Sequence, residues 1–137
     1  MRQNDWKEYV RSVLRIVAGL TFSLHGCQKL FGMFGGMGGH GATAHMWSQF
    51  WVAGVLEAVG GALLLLGLFT RPVAFLLCGE MAVAYFGTHF PRAFWPIQNG
   101  GELAVLYCFV FLYLMAAGGG PISLDHALRR KFDQGWF

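Results

Sequence analysis

The sequence predicts an all-α fold: a bundle of four transmembrane helices, both termini cytoplasmic, with a short amphipathic surface helix at the C-terminal end. Three observations carry this prediction. Only 12% of the 137 residues are charged and 55% are hydrophobic, about half the charge content of an ordinary soluble domain. Four apolar stretches follow one another in a chain that has room for four crossings and not six, at about 20 residues per crossing. Lys and Arg collect on alternate sides of these stretches, as they do where cytoplasmic loops retain positive charge. The composition excludes disorder and coiled coil. The net charge of +3 does not indicate nucleic acid, because the basic residues sit at the ends and in loops. One domain over residues 1–137 is expected.

The first span is expected at 13–31, after Arg2, Lys7 and Arg11 and before a glycine-rich stretch. Arg15 interrupts its early apolar region, and 32–41 offers no small-residue cleavage site, so a removable signal peptide is a poor reading. The second span, 50–69, opens with Trp47, Phe50 and Trp51 at headgroup level and stops at Thr70-Arg71-Pro72. The third, 73–90, ends at Pro91, and the loop 91–101 carries the turn and interface residues Trp95, Pro96 and Asn99-Gly100. The fourth, 102–117, is broken by Gly118-Gly119-Gly120-Pro121. Residues 122–132 then read as an amphipathic helix with Leu124, Leu128 and Phe132 on its apolar side. Arg2, Lys7, Arg11, Arg71, Arg129, Arg130 and Lys131 fall on one side; Arg92 falls on the other, with Lys29 at a span end. Loops 32–49 and 91–101 are therefore expected outside.

Each span holds a residue that lipid penalises by about 2.5–3.5 kcal/mol at mid-bilayer. These residues are expected to face one another inside the bundle. At 100° per residue Arg15, Phe22, His25 and Lys29 share an arc of about 80°, and Ala53, Gly54, Gly60 and Gly61 flank Glu57. Depth counting predicts an outer polar pocket of His25, Lys29, Glu57 and Glu102 and a separate inner pair, Arg15 with Glu80. Two readings stay open: buried groups that lock helix register, or a site for a polar-headed lipophile such as a quinone.

Other signals are weaker. Cys27, Cys78 and Cys108 show no Cys-x-x-Cys spacing; depth leaves a Cys27–Cys108 pair geometrically open, with small buried residues the simpler reading. Gly36-Met37-Gly38-Gly39-His40-Gly41 fits Gly-x-Gly-x-x-Gly but follows a membrane helix rather than a strand, so no nucleotide site is read. Met33, Met37, His40, His45 and Met46 in the outer loop are ligands that suit copper, and an incidental cluster in a glycine-rich loop is the plainer account. His89 lies about 180° round from Glu80; unless the helix unwinds before Pro91 it misses the polar interior, which disfavours a haem between His25 and His89.

Leu14-Arg15, followed by His25-Gly26-Cys27-Gln28-Lys29-Leu30-Phe31-Gly32, resembles the first-span signature of the DoxX family. Glu57-Ala58-Val59-Gly60-Gly61 with Leu66-Gly67-Leu68-Phe69-Thr70-Arg71 is similar to its second span, and Asn99-Gly100-Gly101-Glu102-Leu103 to the opening of its fourth. Gly118-Gly119-Gly120-Pro121-Ile122-Ser123-Leu124-Asp125 is similar to its ending. The resemblance implies a small four-helix membrane protein of the bacterial cytoplasmic membrane, associated with redox systems. The expected function is that of a membrane subunit of a quinone- or thiol-linked oxidoreductase system, a component rather than a self-sufficient enzyme. Quinone is its candidate cofactor; membrane lipid and other subunits of a redox complex are its partners. The alternative is a non-catalytic accessory or scaffold subunit of a larger respiratory or photosynthetic membrane complex.

Overall fold

The computed structural model describes residues 5–134, so Arg2, counted above among the orienting charges, lies outside the described residues. The elements in order are α1 (Asp5–Phe31), a 3-10 turn (Met33–Gly35), α2 (Gln49–Leu66), α3 (Thr70–Ala84) running on into a π-helical turn (Tyr85–His89), α4 (Pro96–Asn99), α5 (Glu102–Ala117) and α6 (Leu124–Gln134). The described residues are all-helical apart from loops and one isolated bridge, Met37 with Ala42.

Local chemistry sets the ends. α1 is already helical at Asp5, two turns before its apolar stretch, with Asp5 and Glu8 in that turn. Ser48 caps α2, its hydroxyl accepting from Trp51 N at 3.2 Å. Gly67 ends α2 in the left-handed region at φ 71°, and any side chain there would collide with the Arg15 guanidinium, 2.6 Å from a Cβ. α2 therefore stops short of the expected residue 69, and α3 begins at Thr70 with Pro72 in its first turn, where no intrahelical donor is needed. Asp125 closes this corner from α6, its two oxygens accepting from Phe69 N at 2.9 Å and Thr70 N at 2.8 Å.

The four long helices pack as two antiparallel pairs, α1 with α2 and α3 with α5. Glycine permits the first pairing: a Cβ on Gly61 would lie 2.5 Å from Ser23 N and 2.8 Å from Gly19 O, so the backbones touch with no side chain between them. The pairs meet through Gly60 against Leu77, and through Phe22 against Phe111, with ring centroids 4.8 Å apart. Leu64, Leu77, Phe111 and Leu114 form the fully buried centre. By length and composition α2 is the one described helix that qualifies alone as a membrane crossing, while α5 is equally apolar at 16 residues.

Candidate functional site

Two buried polar centres occupy opposite ends of the bundle. The first is built on Arg15, 1% exposed, whose guanidinium donates only to backbone carbonyls. Nε bonds Gly119 O at 2.9 Å, Nη1 bonds Leu64 O at 2.5 Å and Leu65 O at 2.8 Å, and Nη2 bonds Ile122 O. Leu64 and Leu65 are among the last carbonyls of α2, where the regular ladder of intrahelical donors runs out; Leu64 O also accepts from the capping Gly67 N at 3.0 Å. Arg15 thus supplies a C-terminal cap from another helix and ties α1, α2 and the glycine-rich segment before α6 into one corner. Ser12 joins it, its hydroxyl accepting from Ile122 N at 3.2 Å.

The expected Arg15–Glu80 pair is therefore corrected: Arg15 is taken by carbonyls and Glu80 lies in the second centre. Chain geometry gives the reason. The α2–α3 turn is only a few residues long, and Glu57 lies ten residues before Gly67 while Glu80 lies eleven after Phe69. Equal distances from one tight turn place two antiparallel residues at one depth.

The second centre is a cavity of about 580 Å³ between α1, α2, α3 and α5. His25, Lys29, Glu57, Glu80, His89 and Tyr107 are among its polar groups, and Phe22, Leu56 and Met81 are among its apolar walls. Lys29 Nζ forms an ion pair with Glu57 Oε1. Glu57 is 2% exposed, and its Oε2 has no hydrogen-bond partner among the described residues. Neither carboxylate oxygen of Glu80 has one either, although both atoms are buried. His25 meets the ring of Tyr107 edge-on at 6.3 Å, and the Tyr107 hydroxyl donates to Thr21 Oγ1 at 2.7 Å.

Three of the four residues expected in the outer pocket, His25, Lys29 and Glu57, share this cavity. Glu102 does not: it is exposed on the first turn of α5 and absent from the lining. The inward face of α5 is Ala104, Tyr107, Phe111 and Leu114, and Glu102 points about 160° away from it. The residues that share its face, Phe109 and Tyr113, are 64% and 48% exposed.

His89 reverses a second expectation. The π-helical turn over Tyr85–His89 adds a residue to the last turn before Pro91 and rotates His89 onto the cavity wall. Its Nδ1 lies 3.1 Å from Asn99 O. Asn99, 3% exposed, is itself fixed by Ala93 O, Gly101 N and the Tyr85 hydroxyl. The Thr-His-Phe-Pro run was the available signal, since a proline strips the helix end of a regular donor. In the loop 32–48, expected on the outer side, Met33, His40, His45 and Met46 are all exposed and Met37 half-buried. Among the described residues no three His, Cys, Asp or Glu side chains gather as a metal site.

A protein of Haemophilus influenzae with no described activity is 45% identical over 130 residues, covering 92% of this chain and 96% of the relative. A Bacillus subtilis protein named "Putative oxidoreductase CatD" is 26% identical over 113 residues, 82% of each chain. No solved structure matches the chain. The DoxX family matches residues 10–90, which hold Arg15, His25, Lys29, Glu57, Glu80 and His89 and thus most of both polar centres. On that match the chain belongs to the DoxX family.

Proposed function

We propose that this chain crosses a bacterial cytoplasmic membrane four times, both termini inside, and binds the polar head of a lipophilic quinone in the cavity beside Lys29, Glu57 and Glu80. The observation that carries the reading is Glu80: a carboxyl group whose two oxygens are buried and have no hydrogen-bond partner among the described residues, on the wall of a cavity with apolar sides. Leaving a buried polar group unsatisfied costs about 1–3 kcal/mol, and a ligand that hydrogen-bonds there removes that cost. The volume is that of a small-molecule site, where a few polar groups fix orientation and apolar walls hold the remainder.

The surface supports membrane residence. Val17, Leu20, Val59, Phe75, Leu106 and Phe109 are 45–64% exposed on the outer faces of all four long helices, an apolar girdle that lipid covers without cost. The Lys29–Glu57 pair lets two ions share membrane depth. Bound quinone supplies two-electron chemistry. The chain's own residues orient its carbonyl groups, with Lys29 as donor and the carboxyl groups and imidazoles as groups that exchange protons. The name of the Bacillus subtilis relative agrees with an oxidoreductase connection. A partner polypeptide in the same membrane system supplies the electron donor.

Titration of the purified protein with a short-chain ubiquinone analogue tests this. Glu80→Gln is expected to weaken binding about tenfold, the loss of one well-placed hydrogen bond, or about 1.4 kcal/mol, with thermal stability retained. Unchanged affinity would remove Glu80 from the site.

A further inference from the structure

Cys78 on α3 and Cys108 on α5 bring their sulfurs to 3.6 Å, and the Cys108 thiol also donates to Cys78 O at 3.5 Å. Sequence depth left only a Cys27–Cys108 pair open, with small buried residues the simpler reading; the structure brings Cys108 to Cys78. The antiparallel register of α3 and α5, set by the short helix α4 and the Asn99 network, selects Cys78. Both thiols are free and half-buried, packed on the edge of the core. A disulfide needs about 2.05 Å between sulfurs, so the two thiols stand about 1.6 Å short of bonding distance. Cys108 directly follows Tyr107 and lies one turn beyond Ala104, both of which line the cavity.

We propose that Cys78 and Cys108 are a redox-active dithiol that delivers two electrons to a quinone held in the adjacent cavity, an inference that rests on the quinone-binding reading above. Two S–H bonds break and one S–S bond forms. The two electrons and two protons pass to the two carbonyl oxygens of the quinone, which becomes a quinol. The resulting disulfide links α3 to α5 beside the cavity, and two external thiols reset it by exchange: the first forms a mixed disulfide, and the second releases it as the external disulfide, returning both cysteines to thiols.

Protein in lipid nanodiscs is treated with a short-chain ubiquinone analogue or with diamide, a thiol oxidant that needs no binding site. Remaining thiols are then alkylated and the peptides mapped by mass spectrometry. Both reagents are expected to give a Cys78–Cys108 disulfide with Cys27 alkylated, and the quinone arm one quinol per chain. Cys78→Ser and Cys108→Ala are expected to lower quinol yield at least about tenfold with quinone affinity unchanged, while Cys27→Ser keeps the full yield. A disulfide under diamide but none under a quinone that binds would overturn the proposal and leave the cavity's ligand standing. No Cys78–Cys108 disulfide under either reagent would overturn it outright. Absence of quinone binding, with the diamide disulfide formed, would instead refute the binding reading and, with it, the electron transfer.

Discussion

Arg15→Met is expected to abolish most accumulation of folded protein, with a stability loss of about 3–5 kcal/mol, the range seen when one member of a buried charged network is removed. Methionine fills much of the same volume, so the loss reports the hydrogen bonds rather than a cavity. Four carbonyls, at Leu64, Leu65, Gly119 and Ile122, lose a charged donor together, each such bond being worth about 1.5–3 kcal/mol net. Two of them, at Leu64 and Leu65, are carbonyls of the last turn of α2. Arg15→Lys keeps the charge but offers three donors from a point rather than five from a planar fork. It is expected to fall between wild type and Arg15→Met in thermal unfolding in detergent. Equal unfolding temperatures for the two variants would show that charge alone, and not the four-carbonyl geometry, holds the corner.

The second large effect separates structure from function at the Lys29–Glu57 pair. Lys29→Met strands a carboxylate that is 2% exposed, and a cost of about 3–5 kcal/mol is expected. Adding Glu57→Leu removes the stranded charge, and the double variant is expected to regain most of that stability, as apolar replacement of whole buried pairs often does. Its quinone affinity is nevertheless expected to fall at least about a hundredfold, near 2.7 kcal/mol, because both polar anchors are gone. Thermal melts and quinone titrations on the three variants check this together. Recovered stability accompanied by recovered binding would make the pair a register lock and nothing more.

What the sequence revealed and what it hid have physical causes. α5 covers Glu102–Ala117, the same residues as the apolar stretch, because glycines bound it on both sides. The Gly54, Gly60 and Gly61 face was legible because small residues at helical spacing mean close backbones, and Gly61 packs on Gly19. His25, Lys29 and Glu57 were found together because they lie at the same end of an antiparallel pair. Glu102 misled because rotation about an apolar helix cannot be read when both faces are apolar: Phe109 and Tyr113 share its side of α5, and the structure turns that side outward. The Arg15 network was invisible because its partners are backbone carbonyls, which carry no residue identity. His89 and the Cys78–Cys108 pair depend on one added residue in a π-helical turn and on the register between two helices, neither of which a 100° wheel contains.

The central claim, a quinone site enclosed by the bundle, is tested most directly by photolabelling in native membranes with an azido-quinone. Adducts that excess unlabelled quinone suppresses are expected on Phe22, Leu56, Met81 and Tyr107 around Glu80. Adducts confined to the outer girdle, at residues such as Val17 and Phe109, and indifferent to competition would contradict it.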